Sequence, residues 1–203
     1  MPKSSIEVRD LRPDETEAAA GVLARGMRDN PIHVAAYGKD PDRRLQCHTA
    51  LMRAQFKVFT EQQPICAVRD GVIVGVAGIA PAGTCQPNTM QRLRMFPTLL
   101  GLGWRRAARV GRWLDTWTRY DPKETHVHVG PLGVDAHLQG QGIESLLLKE
   151  HCRRLDAAGH VGYLETDNPE NVRLYKRFAY EVKDEERVIG VPNWFMRRPA
   201  RTP

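Results

Sequence analysis

The run HVHVGPLGVDAHLQGQGIESLLLKE, residues 126–150, restricts the fold more than any other part of this chain. It begins as an extended segment, bends at Gly130-Pro131, and passes through two glycines into an apolar helical pattern. VGYLET (161–166) follows as a second extended segment. Strand, helix and strand in so short a span make a crossover unit with a parallel pair. Whatever sheet the protein builds must hold that pair.

The remaining segments supply antiparallel partners. SIEVRDL (5–11) reads as a strand, and ICAVRDGVIVGVAGIAP (65–81) as a hairpin turning at Asp70-Gly71. YEVKDEERVIG and NWFMRR read as the last two strands. Helices are expected from Pro13 to about Met27 and from Pro41 to about Glu61. Asn88 to Tyr120 reads as mostly helical, broken at Pro97 and loosened at Gly101 and Gly103. DNPIHVAAYG (29–38) reads as turn-rich, and NPENVRLYKRFA as a short helix capped by Asn168 with Pro169 first. The expected class is α/β, with a mixed sheet flanked by helices.

A chain of 203 residues suits one domain spanning 1–203. No apolar run approaches a membrane span, so a soluble, cytoplasmic protein without a membrane partner is expected. Cys47, Cys66, Cys85 and Cys152 form no CxxC pair, which argues against a disulfide framework or a zinc ribbon and fits a reducing compartment. A net charge of +6 favours anionic ligands of some kind.

Gln139-Gly140-Gln141-Gly142-Ile143-Glu144 joins the kinked strand to the helix. The first N–H groups of a helix lack internal partners and carry the positive end of its dipole. Glycines let a ligand approach that backbone, and pyrophosphate is its natural occupant. The spacing is neither the dinucleotide fingerprint nor a P-loop. Glu144 is the oddity, an acid at the edge of an anion site.

With its context, this motif resembles the GNAT superfamily of acyl-CoA-dependent N-acetyltransferases. Their hallmark, Gln/Arg-x-x-Gly-x-Gly/Ala after a kinked strand, is matched by Gln139 and Gly142, with Glu144 as the exception. LGVDAHLQGQG, Asn168 seven residues before Tyr175, and the ending YLETDNPENVRLYKRFAYEV are similar as well, although Ala179-Tyr180 stands where Gly-Phe is usual. YLET, Asn171, NWFMRRP, DNP (29–31) and Arg43-Arg44 resemble the puromycin-acetyltransferase-like branch.

The resemblance implies a mostly antiparallel mixed sheet whose central parallel pair splays apart. It implies an acyl-CoA-binding core at about 124–180 and acceptor-side helices at about 13–62. Acetyl-CoA would lie against Leu132, Gly133, Val134, Gln139, Gly140, Gln141, Gly142, Ile143, Glu144, Ser145, Asn168 and Asn171, with an N–H near Val134 polarising the thioester carbonyl. Tyr175 takes the place of the family's general acid. The base is left open among His126 and His128, which share one strand face, Glu165, a water relay, or no base at all. No Cys or acid stands at a recognisable spacing to complete a zinc site with the two histidines, so no metal is expected.

The implied reaction is direct acetyl transfer to a small primary amine in a ternary complex, with a homodimer left open. Asp29, His33 and Tyr37 are candidates to face the amine, and Phe56, Trp194 and Phe195 to wall its pocket. Two other functions compete. One is a silent acyl-CoA binder. The other is nucleic-acid binding through WRRAARVGRWLDTWTRY (104–120), whose arginines Arg105, Arg109 and Arg112 share a face opposite its tryptophan stripe. The stripe makes base stacking the weaker reading and core packing the stronger. Glu144 is expected to turn away from the phosphates, into solvent or toward a cation, and to weaken acyl-CoA binding modestly.

Overall fold

The computed structural model describes residues 5–201. Its strands are β1 (Ile6–Asp10), β2 (Ile65–Arg69), β3 (Val72–Ala80), β4 (His126–Val134), β5 (Val161–Thr166), β6 (Glu181–Val188) and β7 (Val191–Arg198). Its helices are α1 (Thr16–Met27), α2 (Pro31–Tyr37), α3 (Pro41–Val58), α4 (Thr89–Gly101), α5 (Trp104–Tyr120), α6 (Ile143–Ala158) and α7 (Pro169–Lys176). The strands form one sheet in the order β1-β2-β3-β4-β5-β7-β6. Only β4 and β5 pair in parallel. The expected mixed, mostly antiparallel α/β fold is the observed one.

Strand alternation divides the apolar residues between two faces. Leu164 and Met196 join Leu147, Leu148 and Tyr175 beneath α6 and α7. Their neighbours Tyr163 and Phe195 point the other way, into a cluster with Tyr37 of α2 and Trp113 of α5. Val68 and Val76 of the hairpin meet Leu23 and Leu51 of α1 and α3. The β2–β3 turn has positive φ at both Asp70 (52°) and Gly71 (78°), the primed geometry that matches the twist of the strands.

Two stretches depart from the sequence reading. Residues 31–37 form a helix, because Pro31 at its first position needs no hydrogen bond and Arg44 secures both ends. The Arg44 guanidinium donates to the carbonyls of Arg28 (2.9 Å), Gly38 (3.1 Å) and Lys39 (2.6 Å). In α4, Pro97 does not break the helix. The chain turns instead at Leu102-Gly103, where Gly103 has φ 85°.

The β4–β5 ladder is short. It pairs His126 with Val161, Val127 with Gly162 and His128 with Tyr163, and there it stops. Beyond that point β4 keeps only β3, and its register shifts opposite Ala77 and Ile79. The Gly130-Pro131 peptide at this kink is cis. Gly78 is obligatory beside it, since a Cβ there would lie 2.8 Å from the Gly130 carbonyl oxygen.

Helix α1 also approaches β4 closely. A Cβ on Gly26 would collide with the Val134 carbonyl oxygen and stand 3.2 Å from the Val134 nitrogen. By contrast, a Cβ on Gly111 in α5 meets nothing within 4 Å. Alanine is worth up to about 1 kcal/mol over glycine inside a helix. Gly111→Ala is therefore expected to raise the Tm by about 2–4 °C, and Gly26→Ala to lower it despite the same propensity gain. A thermal melt in which Gly26→Ala is the more stable protein would contradict the close approach.

Candidate functional site

Where β5 leaves, the backbone of β4 turns polar groups into a slot. Asp135 N–H donates to Val74 O (2.9 Å) on the β3 side. By the alternation of an antiparallel ladder, Val134 and Leu132 face the opposite side, toward the missing partner. The Val134 carbonyl is met there by the Gln139 side chain (3.4 Å), which also donates to Gly26 O (2.8 Å). The side chain of Val134 is buried in the core, so what this position offers is backbone.

The glycine loop lies at the end of the slot. Gly140 and Gly142 have φ of 75° and 82°, and Gly142 is the N-cap of α6 without any side-chain cap. The first helical bond runs from Leu146 N–H to Gly142 O (3.2 Å), which leaves the N–H groups of Ile143, Glu144 and Ser145 outside the helical ladder. A Cβ on either glycine would meet nothing within 4 Å, so the space over the loop is open. Gln141 is held aside by Arg69 (3.1 and 3.2 Å), and Asp135 anchors the loop's approach through Arg25 (2.6 Å) and His137 (3.2 Å). An open helix N-terminus beside an unpaired strand fits a ligand with a pyrophosphate and an amide-bearing arm.

A cavity of about 520 Å³ opens beside the slot. Leu132, Tyr175, Asn171, His128 and Glu165 all line it, so β4, β5 and α7 each contribute to one cavity. Asn168 is not among the lining residues and caps α7, accepting from Glu170 N–H (2.9 Å). His128 Nε2 is 2.8 Å from Glu165 Oε2, and only 3% of the Glu165 side chain is exposed. Burial opposes a charge on His128, but Glu165, Cys85 and Asp121 outweigh it and raise the imidazole above its usual range. Two residues weighed as alternatives are thus one ion pair. His126 lies behind them, bonded to Asp121 (3.1 Å) and the Glu124 carbonyl (2.8 Å).

Cys85 joins this network from the loop after β3, 3.2 Å from Asp121 and 3.5 Å from His126. Cys85, Asp121 and His126 place three ligand-type atoms within 4.8 Å of one another, the one such group among the described residues. The spacing in sequence gave no sign of it, because Cys85 and Asp121 are brought to His126 by the fold. The three atoms already bond to each other, and Gln86 donates to the same Asp121 carboxylate (2.7 Å).

Glu144 departs from expectation most sharply. Its carboxyl turns neither to solvent nor to a cation but inward, toward the Tyr175 hydroxyl. Burial lifts its pKa to about 7, against the pull of that hydrogen bond. Tyr175 is itself 4% exposed, and burial together with Glu144 keeps its phenol protonated far above neutral pH.

The acceptor-side candidates are largely corrected. Of the six, only His33 reaches the cavity. Asp29 is occupied by Arg28 and Arg44. Tyr37 and Phe195 are core, the latter stacked on Tyr120, and Phe56 and Trp194 pack against other clusters. The missed wall is α5, which contributes Trp113, Leu114, Asp115, Trp117 and Thr118. Its apolar stripe therefore does pack inward, with Trp117 Nε1–H donating to Asn193 (3.0 Å), and Arg105, Arg109 and Arg112 lie on the solvent side.

The acetyltransferase (GNAT) family matches residues 30–180. Similar solved structures include a histone acetyltransferase HPA2 and related acetyltransferase from Corynebacterium glutamicum, 18% identical over 98% of both chains with a TM-score of 0.72. A polyamine N-acetyltransferase from Drosophila melanogaster, which forms N-acetylagmatine, is 17% identical over 95% of this chain and 99% of its own, with a TM-score of 0.64. The ribosomal-protein-S18-alanine N-acetyltransferase of Escherichia coli is 12% identical over 98% and 96%, with a TM-score of 0.56.

The half-buried carboxyl of Glu144 has a consequence for stability. Below about pH 4.5 it is protonated in the folded and unfolded chain alike and costs nothing. Between there and about pH 7 the unfolded chain releases the proton while the folded one keeps it, so stability falls as pH rises. Above about pH 7 the loss is constant, on the order of 3 kcal/mol at most. Glu144→Gln is expected to melt higher than the parent at about pH 8 and alongside it at about pH 4. Parallel pH profiles for the two proteins would overturn this account.

Proposed function

We propose that this chain, which belongs to the acetyltransferase (GNAT) family, moves an acetyl group from acetyl-CoA to a primary amine of a small molecule. The transfer is direct, with both substrates bound in one complex. The observation that carries this reading is the shared cavity. Tyr175, the His128–Glu165 pair and the Leu132 segment of the slot open onto one cavity. Acetyl-CoA supplies the activated acyl group as a thioester.

The chain's residues divide the remaining work. The N–H groups of Ile143, Glu144 and Ser145, with Gly140 and Gly142 leaving room above them, hold pyrophosphate. The backbone of Leu132, Gly133 and Val134 extends the sheet toward the amide-bearing arm, and the Val134 N–H polarises the acyl carbonyl. Amines arrive mostly protonated. Glu165, paired with His128 and walled from solvent, takes that proton, and the cavity's other acids, Asp115, Asp121 and Asp167, favour a cation on its way in. Tyr175 holds its own proton until the C–S bond breaks and the leaving thiolate needs it, and the second proton shed by the acylated nitrogen restores the phenol.

The boundaries inferred from sequence accompany this reading: one domain over 1–203, an acyl-CoA core at about 124–180 and an acceptor side drawn from the helices before it, now including α5. Membership of the puromycin-acetyltransferase-like branch is part of the proposal, supported by YLET, Asn171 and NWFMRRP. So is a cytoplasmic setting. Among the described residues no helix is long and apolar enough to cross a membrane.

Acetyl-CoA at about 100 times its Kd should stabilise the fold by roughly 2.7 kcal/mol, read as a rise in Tm. A panel of small amines should then release free thiol. Tyr175→Phe is expected to keep the acetyl-CoA shift and to lower kcat by about 10²-fold or more. No shift with any acyl-CoA would sink the proposal. A shift with no thiol from a broad panel would favour a binder without catalysis.

A further inference from the structure

Four polar atoms in one aromatic cluster have no hydrogen-bond partner. They are both ring nitrogens of His33, Nε2 of His48 and Nε1 of Trp113. The three residues are 1%, 1% and 4% exposed. They come from three helices, α2, α3 and α5, and they touch. The His33 and His48 ring centroids are 4.1 Å apart, and His33 stands edge-on to Trp113 at 5.3 Å. All three line the cavity. The Met27 carbonyl lies near His33, but neither ring nitrogen reaches hydrogen-bond geometry with it. Native interiors leave few such atoms, and four beside one cavity call for a partner, which reaches them from the cavity once the rings turn toward it.

The chemistry of that partner follows from charge and from donor count. Burial holds the His33 pKa down at about 4 and His48 well below its usual value, so both rings are neutral at physiological pH. Arg44 adds positive potential at His33, which disfavours a cation. The Arg44 charge is itself balanced by Asp29 and by three backbone carbonyls, which leaves little to attract a carboxylate. Trp113 offers a donor only. His48 Nδ1 sits 3.5 Å from the Tyr37 hydroxyl, so Nε2 is the donor when that hydroxyl is accepted. His33 offers one donor and one acceptor.

Three donors and one acceptor, all uncharged, suit a carbonyl or a carboxamide. We propose that His33, His48 and Trp113 form a neutral subsite that recognises a carbonyl or carboxamide group on the acceptor, away from the amine that is acylated. This rests on the cavity being the acceptor site of the proposed reaction. The separation between the two ends is fixed by one strut. Ile32 N–H donates to Asp167 Oδ2 (2.6 Å), fastening α2 to the residue two beyond Glu165.

Two measurements test it. The first needs no turnover. An unsatisfied imidazole is a liability in the ligand-free protein, so His33→Leu should raise its Tm by about 2–4 °C. His33→Phe, which keeps a ring against Tyr37 and His48, is the second variant. A fall in Tm for both would mean that the His33 nitrogens already serve the fold, and it would overturn the subsite.

The second measurement is thiol release from hexylamine and from its ω-carboxamide, ω-carboxylate and ω-ammonium analogues. The parent should prefer the carboxamide over hexylamine at least about tenfold in kcat/KM. His33→Leu and Trp113→Phe should erase that preference, bringing kcat/KM for the carboxamide down to that for hexylamine in the same variant, while leaving the acetyl-CoA shift in place. A preference for the carboxylate or the diamine, or a carboxamide preference that survives both variants, would overturn the assignment. Absence of thiol from every amine would count against the proposed reaction instead, and the thermal arm would still decide whether the cluster is built to be filled.

Discussion

Three residue pairs hold the two halves of this sheet together. After His128 and Tyr163, β4 and β5 separate, and each later feature follows from that parting. The slot exists because β4 goes on without a partner. The cavity exists because helices from the first half of the chain, and α5 after them, roof the gap. The kink at Gly130-Pro131 and the glycines that meet it, Gly78 across the ladder and Gly26 in α1, are the packing terms of one bend. Had β4 stayed straight and paired, there would be a closed core here and nothing for α6 to point at.

The interior beside the slot is costly by design. Glu144, Asp167 and Glu165 are carboxyls in poorly hydrated places, and His33 and His48 are imidazoles kept neutral by the same dryness. Some of this cost is offset locally. Asp167 accepts the Ile32 N–H, Glu165 has His128, and Glu144 has the Tyr175 hydroxyl. The unpartnered imidazole nitrogens have no such offset. Groups that would lower the energy of a ligand-free protein if replaced are found where stability and activity compete.

What the sequence revealed was local. The hairpin at Asp70-Gly71, the kinked strand, the glycine loop and the Asn168-Pro169 start of α7 each carry their cause within a few residues, and each was readable. Helix α2 was not, because Asn30-Pro31 and Gly38 look like turn signals and the Arg44 bonds that secure the helix come from α3. Pro97 misled for the opposite reason: a strong local rule was overridden, and the chain bent at Gly103 instead. His128 and Glu165 were named separately, 37 residues apart in sequence, and only the parallel register sets them side by side. The α5 wall of the cavity was missed because Trp113 and Trp117 obey the period of an ordinary core helix, and periodicity does not distinguish a core from a cavity lining. The inward turn of Glu144 was likewise out of reach, since an acid at a helix start satisfies the dipole whichever way its side chain points.

An open sheet normally has two borders, here β1 and β6. The parting of β4 from β5 creates a third, in the middle of the molecule. Free borders invite other polypeptides to pair with them, which is a hazard for any protein. This one is screened by its own shape. It is short, Pro131 contributes no N–H, and α1 lies so near Val134 that even a methyl group on Gly26 would not fit. A peptide strand, with side chains on both faces, would have no room to lie down. The guest proposed for this slot is a slender chain of amides without side chains. The narrowness that would select such a guest is therefore also what protects the protein from its neighbours.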